Sequence, residues 1–193
     1  AQDEFAIRSL TRAKKAIEDG SFDAEVTPVT YKNRQGDVTV EQDEQPLTAN
    51  LGKIPKLRPA FDKDGTVTAA NSSSISDGAA ALVMMRESTA KKRGLKPIAR
   101  FLGHSSFAQE PAWFTTAPIS AIRNLLETVG WNADDVDLFE INEAFAVVTM
   151  AAMKDLDLPA DKVNIHGGAC ALGHPVGASG TRILVTLISA LQK

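Results

Sequence analysis

The chain has 193 residues, with 21 lysines and arginines against 24 aspartates and glutamates, and hence a formal net charge of −3. Its 44% hydrophobic and 23% charged residues are typical of a globular protein and exclude a disordered chain, a collagen-like repeat or a disulfide scaffold. The absence of basic clusters argues against a nucleic-acid partner, and no apolar run approaches the roughly 20 residues that a membrane span requires.

The first predicted elements are a helix and a hairpin. Phe5, Leu10 and Ala13 lie on one helical stripe, and Gly20 is placed to end that helix. The following residues carry many charges and little helical period, and short apolar stretches on either side of Gln35-Gly36 predict a small hairpin. We therefore interpret residues 1–62 as an exposed loop or lid region.

The remaining residues, 63–193, alternate apolar strands with helices and form the predicted core domain. Strands are predicted at residues 79–85, 97–101, 136–141 and 163–165, and the first and third of them are expected to be buried. Helices are predicted from Pro118 to the glycine at 130, at 144–156 and at 179–193. Because such alternation implies βαβ units around a mainly parallel sheet, the predicted fold class is α/β.

Standard cofactor signatures are absent from the sequence. No G-x-G-x-x-G follows a predicted strand, and no phosphate-binding G-x-x-x-x-G-K-[ST] occurs. The three histidines form no ligand cluster with Cys170 at recognised spacings, so no metal site is predicted. A single cysteine forbids an intramolecular disulfide and fits a reducing compartment such as the cytoplasm.

The densest concentration of glycine surrounds a histidine. Five glycines fall between positions 167 and 180, and His174 stands among them between Gly173 and Pro175. Glycine lets a backbone approach a ligand closely, and an imidazole can take up and release a proton near neutral pH. His174 is therefore a candidate proton shuttle, the alternative being a structural histidine bonded to a loop carbonyl.

Two further segments are candidates for a ligand site. Asn142 follows a predicted strand, at the edge where open α/β sheets bind ligands. Its amide can hold an oxyanion or a water without adding charge, and its alternative role is to cap the next helix. Residues 66–78 contain a run of serines and threonines that suits either a tight turn or a polar lining for a ligand amide.

Three motifs together resemble the thiolase family, and within it the acetyl-CoA acetyltransferases. They are G-G-x-x-x-L-G-H-P-x-G-x-S-G from Gly167, N-E-A-F-A from Asn142 and G-T-V-T-A-x-N-x-S-x-x-x-D-G-A-A from Gly65. The resemblance runs from Gln2 to Lys193 yet covers only about half of a usual thiolase chain. It implies an incomplete thiolase-like fold: a loop or lid region plus most of the C-terminal βαβ core half, truncated before its last strands.

The resemblance also implies that catalytic cysteines lie outside this chain. In thiolases the acyl-accepting cysteine belongs to an N-terminal half, and a second catalytic cysteine belongs to a downstream C-x-G-G-G motif. Cys170 falls at a variable position of the glycine-rich motif and is interpreted as structural. Because the chain starts without Met in one helical pattern and stops inside another, we expect both ends to be cuts and this chain alone to be inactive.

Individual roles follow from the same resemblance. His174 matches the histidine that activates the nucleophilic cysteine and helps to hold the thioester oxygen. Asn142 matches the residue that positions a water in an oxyanion hole, and Ser73 matches the serine that contacts the pantetheine of coenzyme A. Further positions that match the lining of the coenzyme A groove are Leu57, Phe61, Ala69, Ala144 and Phe145.

The implied reaction is acyl transfer between thioesters through an acyl-cysteine intermediate. Two acetyl-CoA molecules condense to acetoacetyl-CoA, or thiolysis runs in the reverse direction. Coenzyme A and acetyl-CoA are then substrates, and no cofactor is held permanently. The intact protein is expected to be a homo-oligomer, a dimer or a tetramer, in the cytoplasm, with mitochondrial and peroxisomal locations left open.

Two alternative functions stay open from the sequence. A degradative 3-ketoacyl-CoA thiolase of fatty-acid β-oxidation shares every motif quoted above. A non-catalytic thiolase-like protein that binds acyl-CoA or lipid belongs to another class. Because a carrier needs neither a base nor an oxyanion donor, the presence of both His174 and Asn142 disfavours it.

Overall fold

The computed structural model describes residues 1–193, which form seven α-helices and one two-stranded sheet. The helices are α1 (Gln2–Glu18), α2 (Glu44–Thr48), α3 (Glu87–Lys92), α4 (Ala117–Val129), α5 (Ala146–Asp155), α6 (Ala169–Leu172) and α7 (Ser179–Leu191). Short 3₁₀ helices span Leu51–Lys56, Pro111–Thr116 and Ala133–Asp135. The sheet is the predicted hairpin: β1 (Val29–Asn33) and β2 (Gly36–Val40) pair antiparallel.

The helix α1 forms as predicted and brings the beginning of the chain against its last third. Its buried face carries Phe5, Leu10 and Ala13, and it packs against α5 and α6. Beyond its end at Glu18, Gly20 adopts a left-handed backbone conformation with φ +75°, which a glycine accommodates without strain. The predicted division into residues 1–62 and 63–193 stays a prediction.

The later helices also lie where their sequence signals place them. Pro118 stands in the first turn of α4, and Gly130 ends that helix in the left-handed conformation with φ +72°. The helices α5 and α7 fall inside the predicted ranges, with bounds one or two residues shorter. None of the helices has the length and apolar character needed to cross a membrane.

The predicted parallel sheet is the main difference between expectation and structure. Residues 79–85 and 97–101 form no strand and make no backbone–backbone hydrogen bond. Most of their apolar side chains are exposed, Val83 by 90% and Ile98 by 70%. A buried strand requires neighbouring strands and covering helices, and this chain places neither beside these residues. The predictions of a buried strand at 79–85 and of a second strand at 97–101 are therefore wrong.

The other two predicted strands are reduced to one parallel bridge, between Phe139 and Val163. The N–H of Phe139 donates to the carbonyl of Lys162 at 2.8 Å, and the N–H of Asn164 donates to the carbonyl of Phe139 at 2.9 Å. The bridge lies in the main apolar core, whose buried members are Phe139, Ile141, Ala152, Leu158 and Val163. It fixes the chain immediately before Asn142.

Candidate active site

Two of the predicted site residues lie side by side. The Nδ2 of Asn142 is 3.4 Å from the Nε2 of His174, although the two residues are 32 positions apart. The other ring nitrogen, Nδ1, is 2.6 Å from the Oγ of Ser179 in the first turn of α7. An imidazole in this setting can exchange a proton with a bound group, and the neutral amide beside it can stabilise developing negative charge.

The serine-rich segment connects these two residues. The carbonyl of Ser74 accepts a hydrogen bond from the N–H of His174 at 2.9 Å. The carbonyl of Ala144 accepts from the N–H of Ser73 at 3.0 Å and from its hydroxyl at 2.9 Å. The three motifs that are separate in the sequence therefore form one continuous site, with the serine segment in the middle.

Gly173 makes this close arrangement possible. Its φ is +85°, and a Cβ at this position would lie 2.1 Å from the Oγ of Ser76. Any side chain would therefore both strain the backbone and push the serine segment away from the glycine-rich loop. Position 173 therefore requires glycine for two reasons: the positive φ, and the lack of space for a Cβ beside Ser76.

A buried carboxylate below the site was not among the predicted site residues. Glu143 is only 1% exposed, and its two oxygens accept hydrogen bonds from three directions. The donors are the hydroxyl of Ser9 at 2.7 Å, the Nδ2 of Asn164 at 2.9 Å and the N–H of Cys170 at 3.1 Å. Through these hydrogen bonds Glu143, the residue after Asn142, links α1, the segment around Asn164 and the beginning of α6.

Asn164 completes the support of Asn142. Its Oδ1 accepts from the N–H of Ile141 at 2.8 Å, and its Nδ2 donates to the carbonyl of Ile141 at 2.8 Å. The side chain therefore satisfies both backbone groups of Ile141, as a neighbouring strand would.

The sequence marks Glu143 only as an acidic residue beside an apolar helix. Its partner Ser9 lies 134 positions away, so the sequence does not predict their hydrogen bond.

Aromatic side chains form a surface beside Asn142. The ring of Phe145 meets Phe61 edge-on at 6.2 Å and Phe114 edge-on at 6.3 Å between centroids. Phe61 is 78% exposed. Phe114 also lines an open cavity of about 290 Å³ together with Asn142 and Ala144. The structure thus places Ala144 in the same cavity as Asn142, and Phe145 and Phe61 are joined to that cavity through the ring of Phe114.

The other predicted groove residues are less closely integrated. Leu57 and Ala69 are exposed, and their contribution to a coenzyme A groove stays a prediction. Ser73 is half-buried, and its hydroxyl is turned to the carbonyl of Ala144. Phe114 was not among the predicted site residues, and its position is shown by its contact with Phe145 and by the cavity that it shares with Asn142.

Burial changes the proton affinity of two groups near the site. It raises the pKa of Glu140 to about 8, although the positive charge of Arg182 opposes the shift. Glu140 lines the same cavity as Asn142, and its burial favours the neutral carboxyl over the carboxylate. Burial also raises the pKa of the Cys170 thiol, and the carboxylate of Glu143 adds to the effect. Cys170 is a free, buried thiol, as expected of a structural cysteine.

No group of three or more His, Cys, Asp or Glu side chains is placed to hold a metal ion. His166 is separate from the paired residues and packs edge-on against Phe22 at 5.8 Å. Burial lowers its pKa. The groups that the structure brings together at this site are the imidazole of His174, the amide of Asn142 and the hydroxyl of Ser179, and the carboxyl of Glu140 lines the cavity beside Asn142.

The architecture and these motifs define the class of protein. The family model described as thiolase, N-terminal domain, matches residues 1–88, and the one described as thiolase, C-terminal domain, matches residues 95–193. The chain belongs to the thiolase family. It is 50% identical over 196 residues to the cytosolic acetyl-CoA acetyltransferase of Mus musculus, with 100% of this chain and 49% of that protein covered. It is 47% identical over 192 residues to the acetyl-CoA acetyltransferase of Yarrowia lipolytica, with 100% and 48% covered.

Solved structures show the same fold. The acetyl-CoA acetyltransferase of Bacillus anthracis matches with a TM-score of 0.96 and 48% identity, over 99% of this chain and 49% of that one. The human mitochondrial 3-ketoacyl-CoA thiolase matches with a TM-score of 0.90 and 38% identity, over 99% and 49%. A thiolase of Ascaris suum in complex with coenzyme A matches with a TM-score of 0.88 and 41% identity, over 98% and 48%. The predicted α/β, thiolase-like fold is confirmed, and the chain spans about half the length of these relatives.

Proposed function

We propose that the full-length protein is an acetyl-CoA acetyltransferase, which condenses two acetyl-CoA molecules to acetoacetyl-CoA and catalyses the reverse thiolysis. The observation that carries the proposal is the pairing of His174 with Asn142 in a chain that belongs to the thiolase family. Relatives with that name are 47–50% identical to nearly the whole chain.

The chemistry of the proposed reaction agrees with the site. A thioester enolate carries negative charge that is absent from the substrate, so neutral donors stabilise the transition state without trapping the substrate. In this proposal His174 exchanges the proton and Asn142 holds a water or the thioester oxygen. The acyl group is carried by a cysteine that is not among these 193 residues.

Coenzyme A thioesters are the proposed substrates, with no permanently held cofactor. Ser73 and the surface formed by Phe61, Ala144 and Phe145 contact the pantetheine in this proposal, with Leu57 and Ala69 further along the groove. The relative from Ascaris suum was solved with coenzyme A, which supports a site of this kind. A cytoplasmic homo-oligomer, dimeric or tetrameric, is the proposed state, and the cytosolic mouse relative supports the location.

The proposed activity is tested by thiolysis on the full-length protein. Acetoacetyl-CoA should be cleaved in the presence of coenzyme A, with a higher kcat/KM than a long-chain 3-ketoacyl-CoA. Preference for the long chain would favour a degradative 3-ketoacyl-CoA thiolase, to whose human mitochondrial representative the chain is also similar. Binding of coenzyme A at equilibrium without any turnover would favour a non-catalytic carrier.

Ser73 provides a test of the binding site. In the full-length protein, Ser73→Ala should weaken coenzyme A binding by about 1 kcal/mol, roughly fivefold in Kd, since one neutral hydrogen bond is lost. Ser72→Ala is the matched control, because the Ser72 hydroxyl donates to the carbonyl of Thr68 at 2.7 Å and is not assigned to the ligand. Isothermal titration with coenzyme A measures both. An unchanged Kd in Ser73→Ala would remove Ser73 from the site.

A further inference from the structure

The imidazole of His174 is held from both sides. Its Nδ1 lies 2.6 Å from the Oγ of Ser179, and its Nε2 lies 3.4 Å from the Nδ2 of Asn142. Ser179 is only 4% exposed, so water cannot readily replace its hydroxyl. The resemblance assigns no role to this serine, which stands five positions after the histidine.

The order of donors and acceptors decides which ring nitrogen carries the proton of the neutral imidazole. The amide of Asn142 turns its Nδ2 toward Nε2 at 3.4 Å, and its Oδ1 is buried without a partner. Because Nδ2 can only donate, Nε2 is the acceptor in this orientation of the amide. The proton then belongs to Nδ1, which donates to the Oγ of Ser179. The serine hydroxyl in turn donates to the carbonyl of Pro175 at 3.2 Å.

The opposite order brings two donors together. If the hydroxyl of Ser179 donated to Nδ1, the neutral ring would carry its proton on Nε2, directed at the N–H groups of Asn142. The carbonyl of Pro175 accepts from the backbone N–H groups of Ala178 and Ser179 in either case, at 2.7 and 2.9 Å. The contact between Asn142 and His174 therefore distinguishes the two orders.

We propose that Ser179 is a positioning residue that holds His174 in the tautomer with its proton on Nδ1. Nε2 is then the atom that accepts and returns the proton during acyl transfer. This inference rests on the proposed function as far as turnover is concerned, but the tautomer itself is a property of the folded protein. The tautomer is fixed because the hydrogen bond at one ring nitrogen determines the state of the other.

Kinetics provide the first test. In the full-length protein, Ser179→Ala should lower kcat for acetoacetyl-CoA thiolysis roughly 10–100-fold, the range for one buried hydrogen bond left unmade. The KM should change less than about twofold, because Ser179 does not contact the substrate in this arrangement. Ser179→Thr keeps the hydroxyl and should retain most of kcat. Ser189→Ala, on the same helix, removes a hydroxyl without a side-chain hydrogen bond and should behave as the unmodified protein.

The tautomer provides a second, independent test. Nitrogen NMR of the histidine-labelled full-length protein should show the neutral His174 ring protonated on Nδ1, with the signal assigned by its loss in His174→Asn. A ring protonated on Nε2 would overturn the proposal, and so would an unchanged kcat in a folded Ser179→Ala protein. This spectrum needs no turnover and no folded Ser179 variant. A protein without any thiolase activity would therefore refute the proposed function while leaving the tautomer testable.

Discussion

Replacing His174 with alanine in the full-length protein should lower the turnover of thiolysis roughly 10²–10⁴-fold, the usual range for a lost general acid–base group. His174 is the only imidazole placed beside Asn142, and no carboxylate hydrogen-bonds either residue to take its place. The rate of acetoacetyl-CoA cleavage at saturating coenzyme A measures the effect. The affinity for coenzyme A should change much less than the turnover, since the proposed binding groups remain.

His104→Ala is the matched control for this change. His104 is an exposed imidazole that stacks on Phe101 at 6.4 Å and makes no hydrogen bond to the site. Its replacement should leave thiolysis unchanged. The His174→Ala protein should remain folded, because the half-buried ring adds little apolar area to the core. Near-normal thiolysis in a folded His174→Ala protein would show that another group is the base.

The helices and the hairpin were predictable because their signals are local. Pro118 and Gly130 mark the two ends of α4, because proline has a φ preset for a helix and glycine adopts the left-handed conformation without strain. The turn before Gly36 likewise closes two strands that are neighbours in the sequence. Helical hydrogen bonds join residues four apart, so a short stretch of sequence contains everything that the element needs.

The strands could not be predicted in the same way. The apolar run at residues 79–85 carries the composition of a buried strand, yet a strand exists only with a partner at its edge. Nothing within the run specifies that partner, and this chain provides none. The bridge between Phe139 and Val163 forms because two separate segments meet there. An apolar run thus predicts a buried strand only when the neighbouring strands of the sheet are also known.

The residues of the site were likewise predictable where their signals are local and not where they depend on distant partners. His174 and Asn142 were predictable because glycine-rich and polar motifs mark them individually, and the structure places them in contact. The supporting role of the Glu143 carboxylate could not be predicted, because it depends on hydrogen-bond partners that are 21 to 134 positions away. Support of this kind is distributed through the fold, whereas the groups that meet a ligand are concentrated in motifs.

The 193-residue chain by itself should catalyse no thiolysis. An acyl-cysteine mechanism requires an accessible thiolate, and the only thiol here is that of Cys170. Burial raises the pKa of this thiol, and the charged group that adds to the shift is the carboxylate of Glu143 rather than a cation. A thiol reagent should accordingly modify Cys170 slowly in the folded chain and rapidly in denaturant.

The assay for this expectation is acetoacetyl-CoA thiolysis by the purified 193-residue chain, with Cys170→Ser as its control. Exposed apolar side chains such as Val83 and Ile98 favour self-association, so light scattering should accompany the measurement to establish how much of the chain is dispersed. Activity that disappears in Cys170→Ser would make this cysteine the nucleophile and overturn its interpretation as structural. Equal absence of activity in both proteins is the expected result, because the base and the amide alone can stabilise a developing charge but offer no atom to which the acyl group can be transferred.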